Sequence, residues 1–335
     1  MPTISDVAAK AGVSAATVSR VLRGKPQVAA STRQRVLTAA EELGYSPSRA
    51  AQSLALGRSS SIGVVAPLAD SPSVAERLGG LTARLGASDY DLTLFGINTS
   101  TERVDLLAEL ADPGRIGAVV LISLRPTPDE VEALAAAGVP TVVIDANVPS
   151  LDCVYIDDGE GGRLAARTLL ASGHRRIAFV GDVADSEFGF TSSEDRRIAF
   201  EDVLATATVQ IPDEYLKRRP HGADEAKLAT FELLDLAEPP TAIFAASDVQ
   251  ASGVLEAAHE RGVDVPGDLS VIGFDDIRSA RGMGLTTIRQ PLEESGAYGA
   301  KLVLEALEHR PIGMSIELPL SLVSRRSTAP PRTTA

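Results

Sequence analysis

The sequence predicts a small all-α helix-turn-helix head followed by an α/β body made of two parallel-sheet subdomains. Three observations carry that expectation. Residues 1–60 contain three short helical patterns punctuated by glycine and proline. From residue 61 onward, near-continuous apolar runs alternate with amphipathic helical patterns, as in parallel sheets covered on both faces. Charge divides along the same line. Eight Lys/Arg against three acids give residues 1–60 a net +5, which leaves −18 for the rest of a chain of net charge −13. Such a head can approach phosphate while the body is repelled from it.

Thr3 is placed to cap the first helix, with Asp6 three residues later as a partial capping box. Ile4, Val7, Ala8 and Ala11 give it an apolar face at helical spacing, and Gly12 ends it. Ser14 caps a second helix from Ala15, its hydroxyl able to accept from the Thr17 amide. Val18, Val21 and Leu22 face inward, and Gly24 and Pro26 stop the helix. A third helix, about 31–43, buries Val36, Leu37, Ala40 and Leu43 and ends at Gly44. The short turn Gly12-Val13-Ser14 makes the first two helices a helix-turn-helix.

The outer face of the second helix carries Ala16, Ser19, Arg20 and Arg23, with Ala15 and Thr17 beside its N-terminal end. That end of a recognition helix meets base edges. Two alanines allow the backbone close to a groove, and an alanine methyl packs on a thymine methyl. Hydrogen-bond readout falls to Ser14, Thr17, Ser19 and Arg20, some of it on phosphate. Spacing alone leaves open an ordinary amphipathic helix with a small-residue packing face.

TISDVAAKAGVSAATVSRVL, with STRQRVLTAAEELGYSPSRAAQSLALGRSSSIGVV after it, resembles the LacI/GalR family of bacterial repressors. The resemblance runs through head, hinge and body to about residue 328. It implies a DNA-binding domain over 1–46, a hinge over 47–60 and a periplasmic-binding-protein-like body over 61–328. Within the body it implies one lobe of about 61–157 and 289–318 and a second of about 158–288 and 319–328. Residues 329–335 are expected to be a disordered tail. By the resemblance, Ala15 and Ala16 choose operator bases, and Thr3, Ser14, Thr17, Ser19, Arg20 and Ser48 belong to the DNA-binding set. Ala51 and Leu54 match a hinge that folds on DNA, pairs across a dimer axis and wedges its leucine into the minor groove. An apolar wedge of that kind unstacks a base step and bends the duplex. One departure is Ala29, where the family has Ser or Thr as the cap of the third helix; either the cap shifts to Ser31 and shortens the helix, or its loss costs about 1 kcal/mol.

Strand-like runs in the body are 62–68, 91–97, 117–122, 141–146, 176–182, 241–247 and 269–276. A break near Asp157-Asp158-Gly159 and a return near 288–291 divide it into two lobes. Polar residues at strand ends place binding groups at carboxyl edges. Asp70 follows the first strand, Asp145 ends another, Ser247 and Asp248 end a third, and Asp275 ends the last. The resemblance assigns ligand contacts to Asp145, Arg196, Ser247 and Asp275; Asp70, Asp248 and Phe190 join them as candidates. Carboxylates with one arginine suit vicinal hydroxyls, and Phe188 and Phe190 can stack on a sugar ring. Asp after a strand is also a common helix cap, and Asp248 is expected to be one. Ser247 and Ala199 stand where sugar-binding relatives have Asn and Gly. His174 is read as structural, and Gly159-x-Gly161-Gly162 as a flexible helix start.

No apolar run reaches the roughly 20 residues of a membrane span, and no secretory signal begins the chain, so a cytoplasmic location is expected; the resemblance implies a homodimer. Cys153 is the single cysteine, and the four histidines are far apart, so no metal and no cofactor are expected. The body alone would suit a transport binding protein, but not with such a head. An enzyme would need a nucleophile with its base, a metal cluster or a cofactor loop; the chain has no Gly-x-Ser-x-Gly, no phosphate loop and no paired histidines. The expected function is a repressor of sugar uptake or catabolism genes, gated by a small ligand between the lobes.

Overall fold

A computed structural model describes residues 2–22, 28–45, 59–67, 71–112, 114–183, 188–308 and 313–332 in two compact units, Met1–Ser60 and Ser61–Ala335. In the first unit, α1 (Ile4–Ala11), α2 (Ala15–Leu22) and α3 (Ala30–Glu42) close around Val7, Val18, Val21 and Val36. Thr3 completes a full capping box, its amide donating to Asp6 Oδ2 at 2.7 Å and its Oγ1 accepting from the Asp6 amide at 3.3 Å. Gly12 ends α1 in the left-handed region at φ 63°. Ser14 Oγ accepts from the Thr17 amide at 3.2 Å, as the cap spacing requires.

For α3 the structure decides between the two cap alternatives and corrects one buried position. The helix begins at Ala30, so Ser31 already lies in its first turn and caps nothing; Ala29 is the N-cap and makes no side-chain bond. Leu37 is 45% exposed, while Ala39 is buried. The buried face therefore runs Val36, Ala39, Ala40 and Leu43, the i, i+3, i+4, i+7 set.

The second unit holds two six-stranded sheets. The first consists of β1 (Ser61–Pro67), β2 (Asp91–Ile97), β3 (Ala118–Ile122), β4 (Thr141–Ile144), β5 (Asp152–Tyr155) and β11 (Ser315–Glu317). Its order is β11-β5-β4-β3-β1-β2, all parallel. The second consists of β6 (Ile177–Asp182), β7 (Leu216–Arg219), β8 (Ala242–Ala245), β9 (Ser270–Asp275), β10 (Thr286–Arg289) and β12 (Ser321–Val323). Its order is β12-β10-β9-β8-β6-β7, with β12 alone antiparallel. The central strands β3, β4 and β8 are buried along their whole length, as their unbroken apolar runs require.

Helices α4 (Pro72–Leu85), α5 (Ser100–Leu110) and α6 (Pro128–Ala136) follow strands of the first sheet. Helices α7 (Asp158–Ala171), α8 (Ser192–Thr206), α9 (Ala223–Leu234), α10 (Asp248–Glu260) and α11 (Arg278–Met283) accompany the second. Helix α12 (Leu292–Leu307) returns to pack on α4 and on β3, β4 and β5. The chain passes between the sheets three times, through 156–157, 290–291 and 318–320.

Three helix pairs meet through glycine; in one, a Cβ on Gly253 of α10 would lie 2.0 Å from the Ala223 carbonyl oxygen of α9. A Cβ on Gly296 would lie 1.9 Å from the Arg77 carbonyl oxygen, which locks α12 on α4. A Cβ on Gly162 would lie 2.1 Å from the Arg196 carbonyl oxygen, and one on Gly161 would lie 2.3 Å from the Phe274 ring. The glycines that open α7 are thus needed for close packing, rather than for a flexible start.

The tail expected to be disordered is held as far as residue 332. His174, only 1% exposed, places Nε2 2.9 Å from the Ala329 carbonyl oxygen and Nδ1 2.9 Å from Thr241 Oγ1. Ser270 Oγ accepts from the Ala329 amide at 3.0 Å. Arg332 pairs with Asp264 and Asp268. Burial lowers the His174 pKa, so the neutral ring is the pinning form. Gly296→Ala is expected to destabilise the body by about 1–3 kcal/mol, because the helix pair must separate to admit a methyl. A urea titration followed by circular dichroism reads this directly.

Candidate nucleic-acid interface and ligand cavity

In the head, α2 buries Val18 and Val21 and leaves Ser14, Ala15, Ala16 and Arg20 exposed, with Ser19 and Thr17 half-buried. The first turn carries no acid, so its free amides and dipole face solvent unopposed. Thr17 Oγ1 lies 3.0 Å from Ser14 Oγ, so these two hydroxyls are tied to the cap. Thr3 Oγ1 likewise donates to Asp6 at 2.8 Å. Ala15, Ala16 and Arg20 are thus the outward groups with no capping role. Ser48, Ala51, Leu54 and Asp70 lie outside the described residues.

In the body, a cavity of about 570 Å³ lies between the carboxyl end of the first sheet and helices α7 and α8. Asp145 and Asn147 line it from the end of β4, and Tyr155, Ile156 and Asp157 from the end of β5. Asp158, Gly159 and Arg163 line it from α7. Phe190 and Thr191 precede α8, whose Asp195, Ile198, Ala199 and Asp202 line it at one-face spacing. Arg125 and Glu317 complete the rim.

Of the described residues expected to meet a ligand, Asp145 and Phe190 line this cavity and Arg196, Ser247, Asp248 and Asp275 do not. Phe188 packs instead into the first sheet's core. Arg196 is 5% exposed; its Nε donates to Asp158 Oδ1 at 2.7 Å, its Nη1 donates to the Ala246 carbonyl at 2.6 Å, and it stacks 3.5 Å above Phe274. Ser247 is the N-cap of α10, accepting from the Gln250 amide at 3.1 Å. Asp248, expected both as cap and as ligand contact, is not the cap and stands outside the cavity lining. It is fully buried, and its carboxylate accepts from Thr287 Oγ1 at 2.6 Å and the Ile277 amide at 3.0 Å. The residue before it already supplies the cap, which frees Asp248 to pin neighbouring segments. Asp275 is 6% exposed and accepts from Gln290 Nε2 at 2.5 Å.

Asp145 (φ 81°) and Asp275 (φ 113°) both occupy the left-handed side of backbone space. Non-glycine residues held there store strain, and such strain clusters at ligand sites. Asp145 is held by two side chains: Arg77, and Ser123 Oγ donating to Oδ2 at 2.8 Å. Burial pushes the Asp275 carboxyl above its usual range, against the pull of Arg196 and Arg77. Burial likewise pushes Asp158 up to about 6, opposed by Arg196.

Arg77, Ser123, Asp158 and Gln290 escape sequence reasoning, as does the cavity face of α8. Arg77 left one trace: an arginine in the apolar stripe Val74, Leu81, Leu85 of an otherwise regular amphipathic helix.

Residues 3–48 match the bacterial regulatory proteins of the lacI family, and residues 166–328 match a periplasmic binding protein-like domain. The chain is 31% identical over 336 residues to the HTH-type transcriptional repressor PurR of Haemophilus influenzae, covering 98% of both. It belongs to the LacI family. This LacI-family chain is a DNA-binding transcriptional regulator of the repressor type, and its relatives are regulators rather than enzymes. Among solved structures it is similar to the lac repressor dimer bound to operator and the anti-inducer ONPF. That match has a TM-score of 0.85 and 27% identity, covering 98% of this chain and 99% of the other. It is also similar to the transcriptional regulator CelR in complex with cellobiose, with a TM-score of 0.72 and 29% identity, covering 98% and 100%. Among the described residues, no helix is long and apolar enough to cross a membrane.

Asp158 sets a pH dependence. Its folded pKa of about 6 exceeds the ordinary 3.8, so its contribution is fully present below pH 3.8 and is lost as pH rises through 6. Between pH 4.5 and 7, Asp158→Asn is expected to gain on the wild type by about 2 kcal/mol in unfolding free energy. Denaturation curves of both proteins at the two pH values test this.

Proposed function

We propose that this LacI-family regulator binds a pseudo-palindromic operator as a dimer, and that a neutral polyhydroxylated molecule, a sugar, gates it from the cavity between the first sheet and helices α7 and α8. The make-up of that cavity carries the reading. Its wall presents six carboxylates (Asp145, Asp157, Asp158, Asp195, Asp202 and Glu317) against two arginines, with Phe190 and Ile198 as apolar surface. Carboxylates accept hydrogen bonds from hydroxyls strongly, and an aromatic ring covers the apolar face of a pyranose. The same acids disfavour a phosphorylated or carboxylated ligand. The volume of about 570 Å³ falls within the range of small-molecule sites. The similarity to a cellobiose-bound regulator supports the same class of ligand.

For the head, exposed Ala15 and Ala16 at the amide end of α2 support reading of base edges by close approach. Ala51 and Leu54 supply the hinge pattern for a minor-groove wedge. The ligand gates binding only if it prefers one arrangement of the two sheets over the other.

Selection of operators from random duplex DNA by the full chain, at fixed salt, tests the reading. A two-fold symmetric site is expected, and an asymmetric one would reject the dimeric arrangement. Replacing Ala15 and Ala16 is expected to change the preferred bases without loss of folding. Leu54→Ala is expected to weaken operator binding at least tenfold; unchanged affinity would reject the wedge. Among neutral sugars and their 6-phosphates, only neutral members are expected to raise the melting temperature and change operator affinity.

A further inference from the structure

The two strand-end aspartates are joined by a residue that packing alone does not explain. Arg77 sits in the core-facing stripe of α4, 1% exposed, between Val74 and Leu81. A leucine would fill such a position without a desolvated charge, and buried ion pairs rarely outperform apolar packing. Its Nε finds no partner among the described residues, an added penalty. Its Nη2 donates both to Asp145 Oδ1 and, at 2.8 Å, to Gln290 Oε1. Gln290 Nε2 in turn donates to Asp275 Oδ1 at 2.5 Å. The chain Asp145–Arg77–Gln290–Asp275 therefore runs from the end of β4 in one sheet to the end of β9 in the other. It passes through the 290–291 crossover. Gly80 and Gly296 hold the Arg77 helix against the helix that leaves this crossover, so the arginine cannot shift independently of it.

We propose that Arg77 is a positioning and coupling residue of the ligand site: it fixes the cavity-facing Asp145 carboxylate and, through Gln290, makes that carboxylate and Asp275 move together. The proposal rests on the cavity being the ligand site, but not on the ligand being a sugar. A ligand hydroxyl that draws on Asp145 changes how firmly Asp145 holds Arg77. Arg77 passes the change to the crossover, where the relation between the sheets is set. Coupling of this kind needs a continuous set of contacts with two arrangements, and positioned supporting residues govern how well a site works.

The test is amide hydrogen exchange on the full chain, comparing wild type with Arg77→Met and Gln290→Met. The Asp145 amide donates to the Val154 carbonyl at 2.7 Å and the Gln290 amide to the Asp275 carbonyl at 3.3 Å, one reporter in each sheet. In Arg77→Met both amides are expected to exchange at least tenfold faster. In Gln290→Met only the amide at position 290 is expected to do so. Acceleration confined to Asp145 in Arg77→Met would overturn the coupling, and no acceleration at either would overturn the positioning role too. If Arg77→Met fails to fold, Asp145→Asn is added to remove the stranded charge. Recovery of folding supports the pairing, and continued failure overturns it.

Cellobiose supplies the ligand arm. If it binds the wild type, Arg77→Met is expected to bind it at least tenfold more weakly. Gln290→Met is expected to keep near-wild-type affinity, with no slowing of exchange at position 290 on binding. Equal affinity in wild type and Arg77→Met overturns the positioning role. Absence of binding to the wild type counts against the sugar reading alone, because the exchange measurements decide the role of Arg77 without a ligand.

Discussion

Burying carboxylates where two parallel sheets meet is the constraint on which the body depends. Asp145, Asp158, Asp248 and Asp275 all sit at or just beyond strand ends, and an unpaired ionised carboxylate there would be prohibitive. Each is compensated differently. Asp145 has Arg77 and Ser123, Asp158 has Arg196, Asp248 has a hydroxyl and an amide, and Asp275 has Gln290. Of these four, Asp145 and Asp158 line the cavity, while Asp248 and Asp275 fasten neighbouring segments together.

That compensation needs close helices, and glycine supplies them. Gly296 lets α12 touch the backbone of Arg77, and Gly162 lets α7 touch the backbone of Arg196. Arg77 and Arg196 are thus each carried on a helix whose separation from its neighbour is fixed by a missing side chain. The charge network and the helix packing are one arrangement. In the head the logic is simpler: capping bonds occupy Thr3, Ser14 and Thr17, and small exposed residues remain where a groove would lie.

The sequence by itself determined the head, the alternation of strands and helices, and the two-sheet body. Capping residues, glycine stops and apolar periodicity are local, and local chemistry is what a sequence displays. Five strands escaped it because they are short or polar: β5 (DCVY), β7 (LKRR), β10 (TTIR), β11 (SIE) and β12 (SLV). They are recruited by pairing with strands distant in the chain, which no local pattern records. The tail was misread for the same reason, since His174 and Ser270 reach it from other elements.

The candidate site was legible as residue types and only partly as positions. Strand-end Asp145 was visible because its neighbours in sequence mark the strand's end. Whether a strand-end carboxylate faces the cavity or the core depends on which partners lie across the sheets, and Asp248 and Asp275 stand outside the cavity lining for that reason. Arg77 and Gln290 stand 213 residues apart, and Arg77 and Asp145 stand 68 apart. Only the folded chain brings them within hydrogen-bond distance. Sequence fixed which residues carry charge; tertiary structure alone decided which charges meet, because burial and pairing belong to the whole fold rather than to any segment of it.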